Sequence, residues 1–239
     1  MDEAWFDTSV ASVNHFWIKR RFEAFRALWK KPVLADKVAE IGCGHGLVLH
    51  QIKAAFGIDA DGYELNELAL NEADPGCGRL FYYNIHDRLA SLKEAYDLIF
   101  LFDVIEHIED DKLFLESVLF HLKRGGTLIV NVPADKALFS DYDRVQGHQR
   151  RYDIDMLRKL CASTGLNIET WSYWGRPYIP ILKLRQKMLA GVPDKEVTKR
   201  GFAAQSSLSN SLLRLWGRLE TLPNHSAGTS LMAILKWGP

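Results

Sequence analysis

Apolar and polar residues follow two rhythms along this chain. Residues 13–30 carry Ile18, Phe22, Phe25 and Trp29 at helical spacing, with Lys19, Arg20, Glu23 and Arg26 between them, which predicts an amphipathic helix. Pro32 ends it. Apolar runs at 37–41, 58–65, 79–85 and 96–104 read as strands, with helical stretches at 46–56 and 66–73 and a turn at Asp74-Pro75-Gly76. The run at 96–104 is apolar on both faces, as in a central strand of a covered parallel sheet. Glu109, Asp110 and Asp111 crowd the first turn of the next helix, Lys123 and Arg124 its last, and Gly125-Gly126 stop it. A fifth strand at 127–132 ends at Pro133. Asp153 caps a helix that runs to Thr164 and stops at Gly165, and a sixth strand occupies 166–173.

Residues 175–228 break this rhythm. Arg176, Tyr178, Lys183, Arg185 and Lys187 mix with apolar residues, a polar patch follows at 195–210, and an amphipathic helix is predicted around 212–222. The stretch reads as an insertion over the ligand edge of the sheet, and 229–237 as a last strand. Alternating strands and helices argue a doubly wound α/β sheet. We expect one domain over 1–239, with an N-terminal helical cap at 1–35 and a helical, aromatic lid at 175–228.

Composition narrows the function only a little. Lysine plus arginine equals aspartate plus glutamate, 30 each, so no polycation signals a nucleic-acid partner. Cys43, Cys77 and Cys161 stand apart, forming neither a disulfide framework nor a zinc motif, so no metal is expected. The start, Met1-Asp2-Glu3, lacks a basic region and apolar core, and no apolar run approaches a spanning length. A cytoplasmic setting is therefore expected, with contact at a membrane surface left open.

The candidate chemistry begins at Glu40-Ile41-Gly42-Cys43-Gly44-His45-Gly46, between the first strand and the helix after it. Glycines at alternate positions let the backbone turn sharply and approach a ligand, while the helix points its free N–H groups at the same spot. The dinucleotide pattern G-x-G-x-x-G is not met, because position 47 is Leu. Glu64 ends the second strand, roughly 20 residues on, where an acidic side chain can accept from both ribose hydroxyls.

Together, E-x-G-x-G-x-G and Glu64 resemble class I S-adenosylmethionine-dependent methyltransferases. Leu122-Lys123-Arg124-Gly125-Gly126 resembles that family's L-K-P-G-G turn, with Arg124 in place of proline, and 103–108 resembles its D-V-L-E-H-I element. His15 to Arg20 resembles the H-x-W-x-x-x-R opening helix of one subgroup, and Gly147-His148-Gln149-Arg150-Arg151-Tyr152 its G-H-x-R-R-Y. The resemblance implies a Rossmann-like sheet of seven strands whose last strand is antiparallel, and S-adenosylmethionine as cofactor. It implies that Gly42, Gly44 and Gly46 line the methionine and ribose end, that Glu40 orients the amino end, and that Glu64 takes the ribose. Asn84 stands where the family has Asp, with Asp87 as its rival for the adenine. Arg20 either pairs with the cofactor carboxylate or lies on a solvated helix face. Trp17, Cys43, Leu65, Ile85, Phe102, Asp103 and Val104 complete the implied cofactor wall.

Methyl transfer to a hydroxyl needs a base, and transfer to a neutral amine does not. His148 and His107 are the catalytic candidates, since an imidazole titrates near neutral pH, and each could instead hold a loop. Arg150 and Arg151 either bind an acidic substrate group or pair with Asp141, Asp143 and Asp153, while Tyr142 and Tyr178 are candidate substrate walls. The expected acceptor is a small molecule methylated on O or N. A lipid-linked or macromolecular acceptor, or a non-catalytic cofactor-binding module, stays open. DNA amino-methyltransferases are disfavoured because Asp103-Val104-Ile105-Glu106 replaces their (D/N)-P-P-(Y/F), and cytosine C5 enzymes because no cysteine follows a proline.

Overall fold

Seven strands build one sheet in the order β3-β2-β1-β4-β5-β7-β6. They are β1 (Val38–Ile41), β2 (Asp61–Glu64), β3 (Arg79–Tyr82), β4 (Tyr96–Phe102), β5 (Leu122–Pro133), β6 (Leu166–Trp174) and β7 (Ser230–Trp237). The computed structural model describes residues 14–30, 35–73, 76, 78–201 and 207–238. Pro32, the Asp74-Pro75 turn, Cys77 and residues 1–13 and 31–34 of the 1–35 cap lie outside them.

Every pairing from β3 across to β5 is parallel. Strand β7 is antiparallel to both β5 and β6, so β6 runs the same way as β5. The carboxyl ends of β1 to β6 therefore share one edge. The sheet is the expected seven-stranded Rossmann-like one, with its last strand antiparallel.

Helices α1 (Phe16–Leu28) and α2 (Leu47–Phe56) cover one face, where Phe25, Leu49 and Ile52 pack on Val38, Phe100 and Ile234. Beyond α3 (Glu67–Glu72), α4 (Asp111–His121) and, after α5 (Asp141–Val145), α6 (Ile154–Thr164) cover the other face. There Leu115, Val118 and Leu157 meet Ile99, Leu101 and Val130. Strands buried on both sides explain the unbroken apolar run of β4. The ends of α6 follow from its caps: the Asp153 side chain accepts from the Met156 N–H, and Gly165 takes a left-handed conformation.

Two of the predicted ends that move fall at named motif or candidate residues. Helix α4 ends at His121, two residues before Lys123, because Leu122 already pairs with Tyr96 and the chain is extended there. Asn84 and Ile85 leave β3 and join a tight turn at 85–87 that the Asn84 side chain caps.

Residues 175–228 leave β6 and return at β7 on the carboxyl edge. They form α7 (Ile179–Leu189), α8 (Asp194–Gly201) and α9 (Ser207–Gly217). The last helix is earlier than the 212–222 expected, and it closes on α1, where Asn210 Oδ1 accepts the Phe16 N–H at 2.7 Å.

Candidate functional site

The glycine turn sits at the carboxyl end of β1. Gly42, Gly44 and Gly46 have φ of 71°, 51° and 74°, the left-handed region where only glycine is unstrained. A Cβ on Gly42 would also lie 2.5 Å from Val104 Cγ2, so the turn packs hard against the end of β4. Backbone N–H groups of Gly42 and Cys43 both donate to the Tyr63 carbonyl, which holds the turn against β2.

Glu64 locks that corner. One carboxylate oxygen accepts from Gly44 N–H at 2.8 Å, and the other accepts from Leu65 and Asn66 N–H at 2.7 and 2.9 Å. Oε1 already accepts twice, while Oε2 accepts once and keeps lone-pair capacity for a further donor. Glu40 is buried and its Oε2 has no hydrogen-bond partner. Burial pushes its carboxyl up, Arg21 opposes this, and Glu64 and Asp103 add to it. A ligand with an ammonium group and a ribose diol fits this set, because an orphaned acceptor and a part-filled one stand at the same strand ends.

Asp103 forms the other wall. It has φ of 57°, strained for a residue with a side chain. Three contacts hold it there. Its N–H donates to the Asn131 carbonyl at 2.8 Å, Arg21 Nη1 donates to Oδ2 at 2.6 Å, and Asn131 Nδ2 donates to Oδ1 at 2.6 Å. Trp174 Nε1 donates in turn to Asn131 Oδ1. Arg21 also lies 5.1 Å over the Phe102 ring.

Arg20, expected at the cofactor carboxylate or on a solvated helix face, is buried with carboxylate partners of its own. Its guanidinium turns to Glu23 and to Glu220, which is nearly fully buried and also accepts from Gly175 and Arg176 N–H. Arg21 is the cation at the strand ends. The motif spacing contains this answer: counted from His15, H-x-W-x-x-x-R lands on residue 21.

The remaining cofactor candidates spread along the same edge. Trp17 packs 4.7 Å from Trp174, ring to ring. Cys43, Phe102 and Ile85 are buried, while Leu65 is exposed at the rim. Asn84 Oδ1 accepts the His86 N–H at 3.0 Å, so its amide oxygen already serves the turn.

Beside Asp103 lies a cluster of Glu106, His107 and His148. The two imidazoles stand at right angles, 4.6 Å apart. His148 Nδ1 meets Asp143 Oδ1 at 3.1 Å, which makes Nδ1 the protonated nitrogen and leaves Nε2 as acceptor. Asp143 is fixed by Arg151 at 2.7 Å and by Ser140. Although burial pushes the Asp143 carboxyl up, its bond to His148 and the Arg151 charge hold it below the usual range. His107 is pushed down to about 4, by burial first and by His148 second, so it is neutral at physiological pH. Glu106 is fully buried, and burial with the Asp103 charge pushes its carboxyl well up.

The four substrate candidates have partners within the fold, and for Arg151 the alternative pairing with Asp143 is the one formed. Arg150 is spent on Asp111 and the Glu109 carbonyl. Arg151 is buried, its donors on Asp143 and the Ala134 carbonyl. Tyr178 is buried with its hydroxyl on the Leu213 carbonyl, and Arg185 covers the Tyr142 ring at 4.1 Å. These side chains brace the loops and the 175–228 segment; Arg151 and Tyr178 are buried, and buried polar groups are bonded internally.

That segment also leaves an open groove of about 900 Å³, lined by Arg176, Pro180, Trp216, Leu219 and His225 among others. Leu208, Leu212, Leu215, Trp216 and Leu219 face solvent along α9 and just past it. Among the described residues, no helix is long and apolar enough to cross a membrane.

A family profile described as a methyltransferase domain matches residues 13–170. A ubiquinone biosynthesis O-methyltransferase of Chelativorans sp. (strain BNC1) is 29% identical over 104 residues, 42% of this chain and 41% of that protein. The mitochondrial enzyme of the same name from Homo sapiens is 26% identical over 108 residues, 42% of this chain and 29% of its own length. The chain thus matches less than half the length of these relatives. Among solved structures, a SAM-dependent methyltransferase from Archaeoglobus fulgidus superposes with TM-score 0.57 at 16% identity, covering 92% of this chain and 96% of that one. A phosphoethanolamine-type N-methyltransferase 2 of Haemonchus contortus, solved with S-adenosylhomocysteine, gives 0.60 at 16% identity, covering 93% and 53%. At such identities the structural likeness speaks for the fold alone.

Proposed function

We propose that this chain, which belongs to the methyltransferase domain family, transfers a methyl group from S-adenosylmethionine to a hydroxyl oxygen of a small-molecule acceptor. Bound S-adenosylmethionine supplies a sulfonium methyl group that needs no further activation. The chain's own residues bind, align and manage one proton. Glu64 would accept from the ribose, Glu40 Oε2 from the ammonium group, and Arg21 would take the carboxylate beside Asp103. The glycine turn and the end of β4 hold these groups at neighbouring strand ends. Alignment of this kind is worth up to roughly 7–11 kcal/mol.

The observation that carries the choice of a hydroxyl is the Asp143–His148 pair. Asp143 orients the imidazole by its Nδ1 and leaves Nε2 to accept. In transfer the acceptor O–H bond breaks, its proton passes to Nε2, the O–C bond forms and the S–C bond breaks. A neutral amine would not call for such a pair. The O-methyltransferase relatives, similar over part of the chain, support the same side of the choice.

A second reading concerns the acceptor's shape. The solvent-facing leucines and Trp216 of α9 favour an acceptor with an apolar chain over a fully polar one.

Labelled methyl transfer from S-adenosylmethionine to matched sets of phenols, alcohols and amines tests the proposal. Transfer to hydroxyls, lost in His148→Ala, supports it. Transfer to amines alone overturns the hydroxyl assignment, and tight S-adenosylhomocysteine binding without turnover on any acceptor marks a non-catalytic module.

A further inference from the structure

Among the described residues, Glu106 is wholly buried and has both carboxylate oxygens without a hydrogen-bond partner. A buried carboxylate is costly unless paired or coordinated. The cations nearby serve other groups: Arg151 donates to Asp143 and to the Ala134 carbonyl, and Arg21 Nη1 to Asp103. What does stand close is a pair of imidazoles. One ligand atom each from Glu106, His107 and His148 lie within 4.8 Å of one another.

We infer that Glu106, His107 and His148 form a binding site for one divalent transition-metal ion. Both histidines have the outer partners that metal-binding imidazoles use. His148 Nδ1 is held by Asp143 at 3.1 Å, which leaves Nε2 as the nitrogen able to bind an ion. His107 has the backbone carbonyls of Gln146 and Gly147 as hydrogen-bond partners. The frame is stiff as well, because Gln149 N–H donates to the Glu106 carbonyl at 2.7 Å and ties the two loops that carry the three ligands.

The donor set selects the ion. Two imidazoles and one carboxylate suit Zn²⁺, Co²⁺ or Mn²⁺, whereas Mg²⁺ and Ca²⁺ prefer oxygen throughout. Three protein ligands also leave coordination positions open. The inference rests on the methyltransferase reading of this site and deepens it. An acceptor hydroxyl at an open position would lose its proton to solvent water, and the bound cation would hold the resulting oxyanion for the sulfonium methyl. The O–C bond then forms as the S–C bond breaks. With the ion bound His148 is a ligand, so the cation replaces the His148 proton-transfer step of the proposed reaction and leaves its hydroxyl acceptor and methyl donor unchanged.

Co²⁺ is the probe, because its visible absorption reports coordination. Chelator-treated, dialysed protein is titrated with Co²⁺ chloride and followed by absorption and calorimetry. We expect one ion per chain, displaced by Zn²⁺. Glu106→Gln and His148→Gln should each weaken binding more than the roughly 10–100-fold that losing an outer partner costs, with S-adenosylhomocysteine affinity and circular dichroism unchanged. Asp143→Asn should fall within that smaller range. Absence of a one-to-one complex in the wild type overturns the inference, as does equal binding by Glu106→Gln and His148→Gln. Methyl transfer to a hydroxyl that persists in metal-free protein also overturns it while leaving the methyltransferase reading standing. Metal bound at this site with no methyl transfer does the reverse.

Discussion

Arg21 Nη1 donates to Asp103 Oδ2 across 2.6 Å, joining the opening helix to the end of the central strand. One residue earlier on α1, Arg20 serves the 175–228 segment through Glu220. Adjacent arginines on one helix point about 100° apart, so they meet different partners.

The two arginines should therefore separate binding from stability. Arg21→Ala is expected to weaken S-adenosylhomocysteine binding by about 1.5–3 kcal/mol, the size of a charge-assisted hydrogen bond. Arg20→Ala should leave that affinity in place and cost about 3 kcal/mol of stability, since it strands the buried Glu220. Calorimetry and denaturant unfolding on both variants check this. Swapped effects would restore Arg20 to the site.

Glu64 ties down three backbone N–H groups as well as its proposed ligand contact. Glu64→Ala should thus lower both cofactor affinity and thermal stability. Glu64→Gln keeps an acceptor oxygen and should recover most of the stability but less of the affinity. Affinity unchanged in both variants would place the ribose elsewhere.

Gly42→Ala combines a strained φ with a Cβ 2.5 Å from Val104 Cγ2. We expect a loss of about 1–3 kcal/mol, as for other overpacked sites. Val104→Ala in the same chain should recover the steric part and leave the backbone part. A double-mutant cycle by urea unfolding measures the split, and simple additivity would show that the two residues do not collide.

Asn131 is fully buried between Trp174 and Asp103. Asn131→Ala leaves the Trp174 N–H unpaired and frees a strained Asp103. Loss of about 2–3 kcal/mol is expected, from an orphaned donor plus a lost buried bond. Trp174→Phe removes the donor itself and should be milder in the Asn131→Ala background than in the wild type.

Asp97 sets an acid limit on stability. Burial pushes its carboxyl up, but the Lys123 ammonium at 2.7 Å and the Lys37 N–H outweigh burial and hold it below the ordinary range. A carboxyl lowered by folding stabilises the protein above its unfolded pKa of about 3.9, and the contribution is lost as pH falls through the folded value. Asp97→Asn should cost about 1 kcal/mol at neutral pH, with the difference closing as pH drops below that range. Denaturant midpoints measured across acid pH would show a constant gap if the pairing did not matter.

The order of strands and helices, the glycine turn and the acidic end of β2 were legible in the chain itself. These depend on local chemistry: apolar period, caps, and the backbone freedom of Gly42, Gly44 and Gly46. The antiparallel last strand came from the family resemblance, and β7 between β5 and β6 bears it out.

Side-chain direction was not legible. Apart from the spacing counted from His15, the order Arg20-Arg21 does not say which reaches Asp103, because the contact depends on where α1 docks and on Glu220, two hundred residues away in sequence. Arg150, Arg151, Tyr142 and Tyr178 are polar and aromatic near a proposed acceptor end, yet folding spends them on internal bonds. Glu106, His107 and His148 come together only because two loops from different strands meet at the carboxyl edge. Sequence determines which groups are available and which local turns form. Tertiary packing decides which polar groups are already bonded and which, like Glu106, are left buried without a partner, since burial and hydrogen bonding are properties of the whole fold.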